Sequence, residues 1–103
     1  MKNTYYEVLI SAETQGQADK ILNLLLSKKL VTGGQFIQAP ARFLWKGDVA
    51  NMDYITISSL TKTDKKDALV NMVELASVEE VPMIRFIPIE VNVKLANWID
   101  ATL

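Results

Sequence analysis

"FLWKGDVANMDYITI", residues 43–57, decides how the rest of this chain is read. A Lys–Gly–Asp run interrupts apolar residues on both sides, so the stretch reads as two strands joined by a short turn at residues 46–48. Upstream, "QFIQAPARFLW" at 35–45 makes the first of these a long strand. Pro40 has no N–H to give to a ladder, which places that strand at a sheet edge or bends it there. Downstream, residues 49–62 form the return strand, with Ile55 and Ile57 on one face. The alternation slips at Ser58–Ser59, where a bulge is expected. Trp45 raises a question, because so large a ring near a hairpin tip should have one wall in water.

Outward from the hairpin, the pattern alternates between periods of 2 and 3.6. "YYEVLIS", residues 5–11, reads as a strand with Val8 and Ile10 on one face and Glu7 and Leu9 on the other. A helix follows over about 14–29. Thr14 and Gln17 fit a capping box, and Ala18, Ile21, Leu22 and Leu25 form its apolar stripe. "TGG" at 32–34 is expected to end this element, since glycine readily takes the left-handed conformation after a helix. A second helix is expected over 63–76, capped by Thr63, with Asp64 and Asp67 at the positive end of its dipole. Leu69, Met72, Val73 and Ala76 are its stripe. "PMIRFIPIEV", residues 82–91, is the last strand. "NVKLANWIDATL" is a terminal helix with Asn92 as cap and Leu95, Trp98 and Ile99 turned inward.

The order βαββαβ plus a C-terminal helix predicts an α+β fold: a ferredoxin-like sandwich of four antiparallel strands with both long helices on one face. Val8, Ile10, Ile55, Ile57, Ile84 and Phe86 should meet the helices. The opposite face carries Leu9, Tyr54, Met83 and Ile87, with no helix to cover them. A sheet apolar on both faces is normally covered on both, and a second copy of the chain is the simplest cover. Arg85 should lie on that face, paired with Glu7 or with a carboxylate of another subunit, because an unpaired buried charge is costly.

Composition narrows the function. The chain has 103 residues, half of them hydrophobic, and a net charge of −1. One domain over residues 1–103 is expected. A nucleic-acid partner is not expected, for lack of a basic excess. No run approaches the roughly 20 apolar residues that span a membrane, and the N-terminus lacks a signal-peptide core, so cytoplasmic residence is expected. With no cysteine and no histidine, the usual nucleophile–base pairs and soft-metal ligands are missing. No enzyme activity and no cofactor are expected.

At this point the residues resemble a known family. "FLWKGDV" is similar to the tryptophan–x–glycine hairpin signature of the CutA family, named for divalent-cation tolerance. "LLSKKLVTGG", "SLTKTD", "EVPMIRFIPI" and "NVKLANWIDATL" continue the likeness in the right order. The resemblance implies a ferredoxin-like protomer related to PII signalling proteins, and a tight homotrimer whose hairpin reaches across to the neighbouring subunit. It also implies an answer for Trp45, which would lie against that neighbour. The chain departs from the family at "TGG", where members often carry a cysteine. It departs again at "LASVEEVP", where they often carry histidine–proline–tyrosine. Those residues are the ones usually invoked for soft metals.

The candidates follow. Phe43, Trp45 and Gly47 are expected at the trimer interface. Arg42, Trp45, Lys62 and Glu80 are candidates for an intersubunit cleft that takes an ion or small ligand. Each has a plainer role: Trp45 as interface packing, Lys62 and Arg42 as solvated charges. Lys62 beside a helix start suits an anion, in the manner of a PII-like regulator. Asp48, Asp53, Glu79 and Glu80 are weak candidates for a hard cation, or simply solvated acids. A purely structural assembly protein is the third reading. Tight copper(I) binding is not expected. Soft metals want thiolate, thioether or imidazole, and Met1, Met52, Met72 and Met83 fall on a chain end, a strand, a helix and a sheet face.

Overall fold

The computed structural model describes residues 4–103; residues 1–3 of the expected domain, Met1 among them, lie outside the described residues. The first strand, β1 (Tyr5–Ala12), runs through the middle of the sheet. Helix α1 (Gln15–Ser27) leads to β2 (Gln35–Trp45) and β3 (Asp48–Lys62). A single 3₁₀ turn, Thr63–Lys65, then opens α2 (Lys66–Ala76), followed by β4 (Ile84–Ile89) and α3 (Val93–Thr102). The sheet order is β2-β3-β1-β4, all pairs antiparallel. This is the expected ferredoxin-like α+β arrangement. Pro40 lies on the edge strand β2, opposite Asp53.

Register sorts the side chains. Val8 pairs with Ser59 and Phe86, and Ile10 with Ile57 and Ile84, so these residues share the face under α1 and α2. There they join Ile21, Leu22, Leu25, Leu69 and Val73 in one core. Each such side chain, fully buried, contributes about 1.5–3 kcal/mol. Tyr5, Glu7, Leu9 and Ser11 point to the other face, with Met83, Arg85 and Ile87 alongside them. Helix α3 reaches only one end of that face, where Asp100 accepts from the Tyr5 hydroxyl at 2.8 Å and lies 3.9 Å from the Lys62 ammonium.

Several expectations need correction. No bulge occurs at Ser58–Ser59. The ladder with β1 runs unbroken through both residues, and the ladder with β2 begins at Ser58 in the same register. Alternation never slips; Ser59 is a polar residue on the buried face, and its hydroxyl has no hydrogen-bond partner. The glycines at 33–34 do not end α1. Lys29 does so, with φ of 54°. Its N–H bonds to Leu26 O at 3.0 Å, and that of Leu30 to Leu25 O at 2.9 Å, which together make a Schellman motif. Leu30 is buried there. Thr14 caps α1 as expected, accepting from the Gln17 N–H at 3.2 Å. The reciprocal half of the box is absent, since Gln17 Oε1 is buried without a partner. Thr63 does not cap α2 with its side chain; its hydroxyl donates to Thr4 O at 3.2 Å.

Asn92 precedes α3 without a side-chain bond. Trp98 is half-exposed rather than turned inward, while Ile99 is fully buried. The last strand starts at Ile84, two residues later than expected. Arg85 lies on the open face opposite Leu9 and is exposed. The ion pairs among the described residues join Lys46 to Glu80 and Lys62 to Asp100. Arg85 and Glu7 do not pair within the chain.

Candidate functional site

The turn between β2 and β3 has two residues, Lys46 and Gly47, with φ of 49° and 88°. Left-handed geometry at both central positions matches the twist of the flanking strands. Asp48, expected in the turn, is the first residue of β3 and pairs with Trp45. The unbroken register then sets Trp45, Phe43, Ala50, Met52 and Tyr54 on one wall of the hairpin, continuous with the open face of the sheet. Phe43 and Tyr54 meet edge to face, with centroids 5.7 Å apart.

The segment from α2 to β4 is fixed against this wall by hydrogen bonds. Ser77 Oγ accepts from the Glu79 N–H at 3.0 Å. The Glu79 carboxylate accepts from the Ser11 hydroxyl, 2.9 Å to one oxygen and 3.2 Å to the other. The Tyr54 hydroxyl also donates to Glu79. Ser11 Oγ in turn accepts from the Met83 N–H at 2.9 Å, and Ser11 N donates to Met83 O at 3.0 Å. Burial, the bond to Glu79, and the charges of Glu79 and Glu13 hold the Tyr54 phenol well above its ordinary pKa. Tyr54 is therefore a protonated donor and Glu79 its acceptor.

Between hairpin and segment lies a cavity of about 370 Å³, within the range of small-molecule pockets. Phe43, Trp45 and Tyr54 form its aromatic wall; Glu13, Glu79 and Glu80 bring carboxylates; Met52 and Met83 add apolar surface. At its rim the Lys46 ammonium lies 3.3 Å from Glu80 and 5.4 Å from the Trp45 ring centre.

Of the sequence candidates, the structure brings together Phe43, Trp45, Glu79 and Glu80. Arg42 lies across the hairpin from them. Its Nε donates to Asn51 Oδ1 at 2.8 Å, and with Asp53 it lines a separate, more open hollow of about 500 Å³. Lys62 sits at the far end of β3 from Trp45, with its ammonium turned to Asp100. Asp48, Asp53, Glu79 and Glu80 do not converge, and among the described residues no three Asp, Glu, His or Cys side chains group closely enough to hold a metal. Met52 and Met83, expected on unrelated elements, line the same cavity. Met72 packs against the core. Glu13 and Ser11 escaped the sequence reading. Alternation put Tyr54 on the uncovered face and Phe43 and Trp45 were expected at a subunit interface, but nothing in the sequence linked Ser11 to Glu79.

A family model described as CutA1 divalent ion tolerance protein matches residues 6–102. The chain belongs to this family. Among solved CutA structures, the Archaeoglobus fulgidus protein, described as periplasmic, is 25% identical with a TM-score of 0.91, covering 95% of this chain and 97% of that one. Ehrlichia chaffeensis CutA1 is 19% identical with a TM-score of 0.90 over 99% and 97% of the two chains. CutA1 from Oryza sativa is 19% identical with a TM-score of 0.91 over 96% and 93%. Comparison with curated proteins finds no match. No helix among the described residues is long and apolar enough to cross a membrane.

Proposed function

We propose that this CutA-family chain works as a homotrimer in divalent-ion tolerance, without catalysis of its own, and that the cavity beside the hairpin is its ligand site at the subunit boundary. The observation that carries this is the uncovered apolar surface. On the open face Ile37, Met83 and Ile87 are 51%, 47% and 43% exposed. Across the hairpin Leu44 and Val49 are exposed too. A protomer rarely leaves so much contiguous apolar surface in water. A projecting arm that is apolar on both walls needs neighbours on both. Arm against body is a heterologous contact, which gives a ring when its rotation closes.

The hydroxyls within the cavity support a binding role. Ser11 and Tyr54 donate to a carboxylate, and the chain has no histidine to act as their base. An anionic metabolite is disfavoured, because Glu13, Glu79 and Glu80 would repel it and Lys62 is engaged elsewhere. Cytoplasmic residence belongs to the same reading, and fractionation of cells expressing the tagged chain tests it. Light scattering and native mass spectrometry at micromolar concentration should give three times the chain mass. Trp45→Ala should weaken the assembly by about 2 kcal/mol per contact. A monomer mass for the unaltered protein would end the proposal.

A further inference from the structure

We infer that the cavity takes a small organic cation, an ammonium or guanidinium group carried on an apolar body. This rests on the reading of the cavity as a ligand site and names its ligand class. Two features of the lining point the same way. Phe43, Trp45 and Tyr54 present aromatic rings, whose faces attract cations. Glu13, Glu79 and Glu80 add negative charge. Glu79 is held in place by Ser11 and by a Tyr54 hydroxyl that stays protonated, so the carboxylate and the ring wall form one rigid unit. The remaining wall, with Met52 and Met83, suits the apolar body.

The protein already holds an ammonium in this manner. Lys46 places its Nζ 5.4 Å from the Trp45 ring centre and 3.3 Å from Glu80. Both partners of that ion pair are largely exposed, at 69% and 64%, so an incoming cation can displace Lys46 at the rim and go deeper. A bare metal ion fits less well. A hard cation takes roughly six to eight oxygens, whereas the carboxylates here are spread around a cavity and do not group. Both Glu79 oxygens are already accepting hydroxyl bonds. Carboxylates and aromatic rings lining one cavity of this size match a molecule several ångströms across.

The test uses the intact protein and benzyltrimethylammonium as probe, with benzyl alcohol as the neutral control, benzoate as the anionic control, and manganese(II) as the metal arm. Trp98→Phe leaves Trp45 as the sole tryptophan, so its fluorescence reports the cavity. Saturable quenching by the ammonium compound is expected, weakening with added salt. Glu79→Gln, which keeps an acceptor for Ser11 and Tyr54, should loosen binding by about tenfold, and so should Phe43→Leu, which removes one ring of the wall and keeps the Trp45 reporter. Circular dichroism and mass confirm that each variant folds and assembles. Should Glu79→Gln fail to fold, Glu80→Gln and the salt dependence of the unaltered site carry the same test. Equal response to benzyl alcohol, preference for benzoate, or saturation by manganese(II) alone would overturn the cation assignment while leaving a ligand site. No saturable response to any of the four would overturn both the assignment and the ligand-site reading.

Discussion

Replacing Gly34 by alanine should destabilise the protein, while the same change one residue earlier should not. A Cβ on Gly34 would sit 2.9 Å from Leu22 Cδ1, 2.9 Å from Ser59 Oγ and 3.0 Å from Leu22 Cδ2. Optimal carbon contacts are about 3.5–4.0 Å, so the methyl is at least half an ångström too close to three atoms. Leu22 and Ser59 are both buried, at 7% and 3% exposure, so their side chains have little room to yield. Overpacking of this kind costs about 1–3 kcal/mol. Restricting the unfolded chain returns about 0.4–1 kcal/mol. The net loss is then about 1–2 kcal/mol. A Cβ on Gly33 meets nothing within 4 Å, and neither glycine has positive φ. Gly33→Ala should therefore stabilise by about 0.5 kcal/mol. The two variants differ by about 2 kcal/mol, or roughly 10 °C in midpoint for a domain of this size. Thermal and urea unfolding at one protein concentration, with mass checked for equal assembly, measures the gap. Ser59→Ala in the Gly34→Ala background removes one close contact and an unpartnered hydroxyl, and should recover part of the loss. Equal midpoints for Gly33→Ala and Gly34→Ala would refute the reasoning.

Three further outcomes are expected. The Tyr54 phenol has a raised pKa in the folded state, so its bond to Glu79 contributes fully below about pH 10, where the unfolded phenol is also protonated. Above that the unfolded chain loses a proton that the native state keeps, and stability falls as pH rises. Tyr54→Phe should flatten part of this slope above about pH 10 in urea titrations, and cost about 1 kcal/mol at neutral pH. Lys29→Gly should raise the unfolding midpoint, since a left-handed non-glycine residue costs about 1–2 kcal/mol, partly offset by glycine's own entropy. Titration with copper(I) against a competing chelator should show no nanomolar site, because Met52 and Met83 supply two thioethers and the chain has neither thiol nor imidazole to complete a soft set.

What the sequence disclosed was whatever repeats with a fixed period. Alternation placed Val8, Ile10, Ile55 and Ile57 on the helix face, and Pro40 placed β2 at the edge. Helical spacing found both stripes. Misreadings arose where one residue's meaning depended on a distant one. Gly34 looked like a helix stop, yet its lack of a side chain answers Leu22 and Ser59, brought close only by the folded sheet. Lys29 takes the left-handed position that glycine usually fills, and no local signal favours it. Ser58–Ser59 looked like a slip because serine on a buried face mimics a shifted register. For the site, the hairpin wall was legible from Phe43, Trp45 and Tyr54. Glu79 looked like one acid of a loop, and its bonds to Ser11 span 68 residues, beyond any periodicity. Trp98 was assigned inward from its stripe, but α3 covers only an end of the sheet and leaves that ring half in water.

The position of β1 between β3 and β4 bears on how the chain emerges from the ribosome. Its partners arrive in order: residues 55–62 come long before 84–89. Once β3 has been made, β1, β2 and β3 can pair while the other edge of β1 stays bare. That edge, running from Tyr5 to Ile10, must wait for about two dozen further residues before β4 closes it, at roughly 5–20 residues per second. An open strand edge is a template for another nascent copy. In a polysome, where many copies grow side by side, the safeguard is the speed with which α2 and β4 follow. Slow translation that holds β4 inside the ribosomal tunnel after β3 has emerged from it should therefore raise aggregation.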